Sequence, residues 1–204
     1  MKTALVFGAA PVDRHLRPVH LPGVPVYCAD GGYETARRYG FTPVWAGGDF
    51  DSLGSIPAAG EQFPCEKDET DTMLAARAAV RDGAERILFY GCLGGRMGHT
   101  MANIQMLRTL ADMQVCGILM DGRHILTLQR GGSRRYPRLH GYRYFSLFSL
   151  SEDCCGVTLR GVAYPMEAGT LSGRFPLGVS NEITGDAAQI TVGSGDLLII
   201  YERE

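Results

Sequence analysis

Apolar and polar positions follow one pattern up to about residue 121 and another pattern after it. In the first part, short apolar runs typical of strands alternate with segments whose apolar residues recur at helical spacing. The strand-like runs are TALVFG, VPVYCAD, PVWAGGDF, RILFYGC and VCGILMD. Because strands alternating with helices build parallel sheets, this part is predicted to be α/β, with a parallel sheet covered on both faces.

Three helices are predicted between these strands: through YETARRYG, from Asp71 to Asp82, and from about Thr100 to Met113. Gly40 and Gly83 stand where the glycine that ends a helix is expected, because glycine adopts the left-handed backbone at that position without steric cost.

From about Gly122 onward the helical spacing disappears. The segments HILTLQR, YRYFSLFSL, GVTLRGVAYP, GTLSGRF, AAQITV and DLLIIYE read as short strands separated by Gly, Ser, Asp and Pro. This pattern predicts an all-β domain, a small sandwich or barrel. The chain is therefore divided into an α/β domain at 1–121 and a β domain at 122–204.

Composition excludes several classes of protein. The 204 residues are 45% hydrophobic and 21% charged, with 20 basic and 22 acidic side chains, so the chain can bury a core. The net charge of −2 gives no reason to expect a nucleic-acid or membrane partner. No apolar run is long enough for a membrane helix, and MKTALVFGAAP is too short for a signal peptide. A cytoplasmic protein is expected.

The six cysteines show no CxxC spacing. We expect them to be reduced and buried, and we do not expect a zinc site from this spacing. They are Cys28, Cys65, Cys92, Cys116, Cys154 and Cys155.

The densest chemical signal is AGGDFDS, residues 46–52, at the carboxyl end of a predicted strand, where open α/β sheets bind ligands. In an extended segment Asp49 and Asp51 point to the same side, about 6–7 Å apart along the backbone. Close carboxylates repel unless a cation neutralises them, and oxygen ligands favour Mg²⁺. The alternative is that both are solvent-exposed aspartates of a turn that bind no metal.

Three further elements lie at strand ends or helix starts. ADGGYE at 29–34 places an acid and two glycines at a helix entrance, and KDETD at 67–71 immediately precedes a helix. GCLGGRMGHT at 91–100 is a glycine-rich turn whose backbone N–H groups and Arg96 suit a phosphate. Helix capping by Thr70 or Asp71 and simple turn geometry are the alternatives. Together, the four elements favour a Mg²⁺-dependent enzyme acting on a phosphorylated ligand.

The order ADGG, GDFDS, KDETD, GGRMGHTMANIQML and LGVSNE resembles the thiamine pyrophosphokinase family over nearly the whole chain. The resemblance implies a Rossmann-like α/β catalytic domain followed by a β-sandwich that binds thiamine. It also implies homodimers with the active site at the subunit interface. The implied reaction transfers the pyrophosphoryl group of ATP, the co-substrate, to the thiamine hydroxyl, giving thiamine diphosphate and AMP with Mg²⁺ as cofactor.

The resemblance further implies roles for individual residues. Mg²⁺ and pyrophosphate are expected at Asp49, Asp51 and Asp71, which with Arg96 form the expected catalytic set. The expected nucleotide-side residues are Asp30, Gly31, Gly32, Asp68, Arg96, His99 and Asn103. The expected thiamine-side residues are Tyr164, Ser180 and Asn181. An aromatic ring at Tyr164 could stack on the cationic thiazolium or the pyrimidine, although a core or rim aromatic is the alternative reading.

One position departs from the family pattern, because Gly98 stands where G-G-R-x-D-H has an acid. An active enzyme with altered rate or metal preference is expected. The general base is left between Asp71 and Asp30. The competing functions are a Mg²⁺-dependent DxD phosphohydrolase or sugar-nucleotide transferase, a pyrophosphokinase acting on a pterin, and a non-catalytic thiamine- or nucleotide-binding module.

Overall fold

A computed structural model describes residues 1–51 and 54–204 of the chain. These residues form two compact units, Met1–Gly122 and Arg123–Glu204. Ser52, the last residue of the AGGDFDS motif, lies outside the described residues.

The strands of the first unit are β1 (Thr3–Phe7), β2 (Val26–Ala29), β3 (Trp45–Gly48), β4 (Gly60–Gln62), β5 (Arg86–Tyr90) and β6 (Cys116–Met120). They lie side by side in the order β6-β5-β1-β2-β3-β4. Every neighbouring pair is parallel, as the alternation of strands and helices predicts. The chain runs outward from β1 to β4 and then returns to the other side of β1, so the order reverses between β1 and β5. Ligands of open α/β sheets bind at such a reversal, beyond the carboxyl ends of the strands.

The helices of this unit are α1 (Gly32–Arg38), α2 (Asp71–Arg81) and α3 (Met97–Asp112). Gly40 and Gly83 have φ angles of 81° and 88°, which confirms both as helix-ending glycines. The structure starts α3 three residues before the predicted Thr100. The short edge strand β4 was not predicted, because its sequence is polar and lacks an alternating pattern. Among the described residues, no helix is long and apolar enough to cross a bilayer.

The second unit is antiparallel β structure built around its last strand. The strands are β7 (His124–Pro137), β8 (Tyr142–Ser149), β9 (Asp153–Arg160), β10 (Met166–Ser172), β11 (Gly178–Glu182) and β12 (Ala187–Arg203). Strand β12 spans the two segments predicted as separate strands, and a register irregularity lies between Val192 and Asp196. It pairs with β7 along both parts, with β9 as far as Ser194 and with β8 from Leu197 onward. Strand β11 was not predicted.

Alternate apolar residues of these strands share one core. Phe145 and Leu147 of β8, Val157 of β9, Leu171 of β10 and Ile199 of β12 are each at most 2% exposed and belong to one cluster. Burial of such side chains contributes about 1.5–3 kcal/mol each, which is the main stabilising term of the unit.

The cysteines are free thiols that differ in exposure. Cys28, Cys92 and Cys154 are buried and Cys116 is partly buried, as expected for small apolar residues. Cys65 and Cys155 are exposed, so the expectation of burial is wrong for these two. Cys155 follows the buried Cys154 in β9 and therefore faces the opposite side of the strand, and Cys65 lies in the loop between β4 and α2.

Candidate active site

A cavity of about 490 Å³ lies at the carboxyl edge of the parallel sheet. It is lined by the segments that follow β1, β2, β3 and β5, by the loop before α2 and by the first turns of α3. Most of the residues predicted from the four motifs are therefore brought together, although up to 73 positions separate them. The predicted residues that line the cavity are Asp30, Asp49, Asp71, Arg96, His99 and Asn103.

The ends of β2 and β3 approach each other closely at this edge. The Asp30 N–H donates to the Gly47 carbonyl at 2.9 Å, and a Cβ at Gly48 would lie 2.9 Å from the Asp30 Cα. Asp30 and Phe50 have φ angles of 45° and 58°, which non-glycine residues seldom adopt. Such backbone strain is held in place by surrounding packing and occurs preferentially at functional sites.

Asp49 and Asp51 are brought together by a turn with a left-handed residue, Phe50, at its centre. An extended segment was predicted, but β3 ends at Gly48 and the chain turns at Phe50. The turn lets the Asp51 N–H donate to Asp49 Oδ1 at 3.2 Å. The two carboxylates are therefore close because of a turn and not because of strand alternation.

Asp49 is held by two hydrogen bonds to its carboxylate. The Cys65 thiol donates to Oδ2 at 3.0 Å, and the Asp51 N–H donates to Oδ1. These two bonds, the thiol's first, lower the pKa of Asp49 below its ordinary value. The same bond raises the pKa of Cys65, so the thiol keeps its proton and Asp49 stays ionised.

Asp71 has the opposite environment. It is the first residue of α2, and the Thr70 hydroxyl caps that helix by accepting from the Met73 N–H at 3.3 Å. Burial raises the pKa of Asp71, and the negative charges of Asp30 and Asp49 raise it further. The Lys67 ammonium, 3.0 Å from Asp71 Oδ1, opposes this rise in part. The carboxylates of the cavity are thus close enough to disfavour one another's charge.

The donor atoms fit a divalent cation. One ligand atom from each of Asp49, Asp51 and Cys65 lies within 4.8 Å of the others. Two carboxylates, completed by phosphate oxygens and water, are a usual set for Mg²⁺. Asp51 is exposed and does not line the cavity. It lies beside Asp49 because its N–H donates to the Asp49 carboxylate.

Other residues of the cavity lining provide donors for an anion. Arg96 is the N-cap of the 16-residue helix α3, and Gly94 and Gly95 before it both have positive φ angles. The helix N-terminus and its free N–H groups favour negative charge. Asn103 lines the cavity while its amide donates to the Cys92 carbonyl at 2.8 Å, which ties α3 to the end of β5.

Besides Asp51, three of the residues predicted on the nucleotide side lie outside the cavity lining. Gly31 is the N-cap of α1, and Gly32 is buried where a Cβ would lie 2.0 Å from the Phe7 carbonyl oxygen. Glycine at position 32 is therefore required by packing. Asp68 is exposed in the loop before α2.

The sequence prediction missed several lining residues. Ala9, Ala10 and Pro11 follow β1, and Cys65 and Lys67 lie in the loop before α2. The first three could have been found from the rule that ligands lie beyond strand ends, applied to FGAAP. Nothing local in the sequence marks Cys65, because its contact with Asp49 spans 16 residues and depends on the loop conformation.

In the second unit, the structure links two of the predicted thiamine-side residues. The Asn181 side chain is 3% exposed; its Oδ1 accepts from the Tyr164 N–H at 3.0 Å and its Nδ2 donates to the Tyr164 carbonyl at 2.9 Å. The Tyr164 side chain is 70% exposed. Asn181 therefore fixes the main chain that presents the Tyr164 ring.

Ser180 lies beside this pair in a strained backbone conformation. Its φ angle is 57°, and its N–H donates to the Ser146 hydroxyl at 3.1 Å. The Ser146 hydroxyl in turn donates to Glu202 at 3.1 Å. The Ser180 main chain is thus anchored to β8, and its side chain is exposed.

Comparisons with known proteins agree over both units. The family model described as "Thiamin pyrophosphokinase, catalytic domain" matches residues 25–118, and the one described as "Thiamin pyrophosphokinase, vitamin B1 binding domain" matches residues 133–197. The chain is 29% identical to the thiamine pyrophosphokinase of Bacillus subtilis over 184 residues, covering 86% of each sequence.

Solved structures give the same relationship. The chain superposes on thiamine pyrophosphokinase from Bacillus subtilis with a TM-score of 0.91 at 26% identity, covering 100% of both chains. It superposes on thiamin pyrophosphokinase from Geobacillus thermodenitrificans with a TM-score of 0.86 at 29% identity, covering 99% and 98%. The similarity to thiamin pyrophosphokinase from Candida albicans, at 15% identity and a TM-score of 0.75 over 98% and 88%, concerns the fold alone.

Proposed function

The chain belongs to the thiamin pyrophosphokinase family, and we propose that its acidic cavity is where it transfers pyrophosphate from ATP to thiamine. The observation that carries this assignment is that carboxylates and groups able to donate hydrogen bonds to phosphate meet at one edge of the sheet. Asp49, Asp71, Arg96 and His99 line the same cavity. Transfer of a phosphoryl or pyrophosphoryl group requires this combination, because catalysis consists mainly of positioning and charge stabilisation.

The proposed reaction forms one bond and breaks one bond. The thiamine hydroxyl oxygen attacks the β-phosphorus of ATP, the bond from that phosphorus to the α-phosphate oxygen breaks, and AMP leaves with the bonding electrons. Arg96 and the glycine-rich turn before α3 are placed to neutralise the charge that develops on the phosphate oxygens. No covalent contribution from the protein is needed.

The hydroxyl proton must be accepted by a base in the cavity. Asp71 is better suited than Asp49, because burial raises the pKa of Asp71 whereas hydrogen bonds lower the pKa of Asp49. The pairing of Asp71 with Lys67 fixes its carboxylate while leaving it in the cavity lining. We therefore propose that Asp71 accepts the hydroxyl proton of thiamine. Asp30 is its neighbour in the same cluster of carboxylates.

We propose Mg²⁺ as the cation, held by Asp49 and Asp51 with Asp71 beside them. When bound, Mg²⁺ supplies positive charge to the phosphate oxygens and helps to align the polyphosphate. The chain's own contribution is to hold Asp49 ionised, through the hydrogen bonds from Cys65 and the Asp51 N–H. Gly98, in the first turn of α3, stands where the family pattern has an acid, and we expect the remaining acids to support activity with an altered rate or metal preference.

The test is phosphorus NMR of the protein with ATP, Mg²⁺ and thiamine, with a thiamine-free control. We expect AMP and thiamine diphosphate only when thiamine is present. Asp49→Asn and Asp51→Asn should each lower kcat by about a hundredfold or more. Glu66→Gln changes an exposed acid of the loop before α2, outside the cavity lining, and should retain turnover. Near-normal rates for both aspartate variants would refute the site.

Other products would point to other functions. Release of inorganic phosphate without AMP would indicate a phosphohydrolase. Turnover with a pterin but not with thiamine would change the acceptor, and folded but inactive protein would indicate a binding module.

We propose further that the β unit binds thiamine through Tyr164 and Ser180, and that the active protein is a homodimer with its site between subunits. Light scattering should then give twice the 22.1 kDa mass of one chain.

Mixing Asp49→Asn with Tyr164→Ala chains provides the sharper test of a site shared between subunits. If each site takes the two residues from different subunits, mixed dimers contain one intact site, and activity at low thiamine exceeds that of either variant alone. A monomeric active protein would contradict the dimer.

A further inference from the structure

Cys65 is a thiol placed among the carboxylates that are proposed to hold the catalytic cation. Its Sγ lies 3.0 Å from Asp49 Oδ2, and it lines the same cavity as Asp49 and Asp71. Unlike the buried Cys28 and Cys92 of the same unit, it is exposed and therefore accessible to ions in solvent.

The geometry allows the sulfur to become a metal ligand. A tetrahedral zinc ion with bonds of about 2.3 Å to sulfur and about 2.0 Å to oxygen separates those two atoms by about 3.5 Å. Ligand atoms of Asp49, Asp51 and Cys65 already lie within 4.8 Å of one another, and the sulfur and the nearer carboxylate oxygen are 3.0 Å apart. A change of a few tenths of an ångström brings the Cys65 sulfur and the Asp49 oxygen to the separation set by zinc. The ligand atom of Asp51, within 4.8 Å of the other two, would approach further to complete the set.

Divalent cations differ in whether they bind the carboxylate oxygens alone or the Cys65 sulfur as well. Mg²⁺ prefers oxygen and leaves a thiol protonated, whereas Zn²⁺ and Cd²⁺ bind thiolate strongly. Bound Mg²⁺ would leave the Cys65 thiol donating to Asp49, as it does in this structure. A thiophilic cation would form a sulfur–metal bond in place of the S–H bond, and the proton would be released to solvent.

We propose that Cys65 determines the cation specificity of this site, because its sulfur joins Asp49 and Asp51 in a mixed oxygen and sulfur set that captures thiophilic divalent cations in competition with Mg²⁺. This inference rests on the proposed function, which places the catalytic cation at Asp49 and Asp51. It assigns to Cys65 a role as a selectivity residue for that cation.

The first experiment titrates the full-length, reduced protein with Cd²⁺ and follows the ultraviolet thiolate-to-cadmium charge-transfer band. Wild-type protein and the matched control Cys155→Ser, which removes the other exposed thiol, should both show the band at one equivalent. Cys65→Ser should lose it, although serine retains a hydroxyl donor for Asp49. An undiminished band in Cys65→Ser would overturn the proposal.

The second experiment compares Zn²⁺ inhibition with Mg²⁺ activation in each variant. We expect the ratio of the Zn²⁺ inhibition constant to the Mg²⁺ half-saturation concentration to rise about tenfold or more in Cys65→Ser. The ratio should be unchanged in Cys155→Ser. Equal ratios in wild type and Cys65→Ser would also overturn the proposal.

These results separate the inference from the function on which it rests. Loss of the cadmium band in Cys65→Ser, together with full activity in Asp49→Asn, would refute the assigned catalytic site and leave an independent metal site. Inactive Asp49→Asn with an unchanged cadmium band in Cys65→Ser would support the catalytic site and refute the role of Cys65.

Discussion

At the scale of single residues, Asp49 and Asp71 show how one cavity gives two carboxylates different properties. Hydrogen bonds from Cys65 and the Asp51 N–H stabilise the charge of Asp49, whereas burial disfavours the charge of Asp71. This division suits a cation ligand on one side and a proton acceptor on the other.

The first prediction uses the opposite signs of these two pKa shifts. For Asp71 the folded-state pKa is raised, so ionisation costs stability as pH rises above its ordinary value of 3.8. Asp71→Asn should therefore be more stable than wild type at neutral pH, and the difference should shrink as pH falls toward 3.8. For Asp49 the pKa is lowered, so Asp49→Asn should be less stable than wild type at neutral pH. Urea unfolding over this pH range measures both, and matching trends for the two variants would contradict the assigned environments.

The second prediction concerns two glycines with different surroundings. A Cβ at Gly48 would lie 2.9 Å from the Asp30 Cα, whereas nothing lies within 4 Å of a Cβ at Gly98. Gly48→Ala should cost about 1–3 kcal/mol by overpacking and should lower kcat by displacing Asp30. Gly98→Ala should gain about 0.5–1 kcal/mol, because Gly98 lies in the first turn of α3. Thermal unfolding with turnover assays checks both, and equal effects would argue against the close approach of β2 and β3.

At the scale of elements, the starts of helices place the reactive groups. Helix α2 begins at Asp71 and α3 at Met97, directly after Arg96, so the helix boundaries fix where a carboxylate and a guanidinium enter the cavity. Thr70 caps α2 directly before Asp71, so loss of the cap would also disturb the proposed proton acceptor.

The third prediction tests that cap. Thr70→Ala removes the acceptor of the Met73 N–H and should cost about 1 kcal/mol of unfolding free energy. Thr70→Ser retains the hydroxyl and should restore most of that loss. Because fraying of the first turn would move Asp71, kcat should fall in Thr70→Ala and recover in Thr70→Ser. If Thr70→Ala is destabilised but keeps a normal kcat, the cap does not control the position of Asp71 and the prediction is wrong.

At the scale of the whole molecule, the two units are expected to divide the substrates. The catalytic-domain model matches within the first unit and the vitamin B1 binding model within the second. Asp49 belongs to the first unit and Tyr164 to the second, so substitutions at these residues should affect different kinetic parameters.

The fourth prediction is that Tyr164→Ala raises KM for thiamine roughly threefold to thirtyfold by removing a stacking surface for its cationic ring, with KM for ATP unchanged. Tyr164→Phe should behave like wild type. The free energy of unfolding should be unchanged in Tyr164→Ala, since Tyr164 is 70% exposed.

Asn181→Ala should instead lower the free energy of unfolding by about 1–3 kcal/mol, because the Tyr164 N–H and carbonyl lose their partner. Initial rates and thermal melts measure these effects, and an unchanged thiamine KM in Tyr164→Ala would remove this residue from the site.

The sequence by itself determined the parallel α/β pattern, the helix-ending Gly40 and Gly83, and the motif order that identifies the family. These features repeat or cluster over a few positions, because burial and backbone hydrogen bonding follow the period of a helix or strand. The polar edge strand β4, strand β11 and the continuity of β12 escaped the pattern, since pairing with neighbouring strands creates them.

Only the tertiary structure decided which side chains meet. It joined Cys65 to Asp49, placed the ends of β2 and β3 in contact, and used Asn181 to hold Tyr164, which lies 17 positions away. The turn at Phe50, not an extended strand, set the spacing of Asp49 and Asp51. The physical reason is that distances between segments remote in sequence depend on strand order, packing and loop conformation, and these act on the folded chain as a whole.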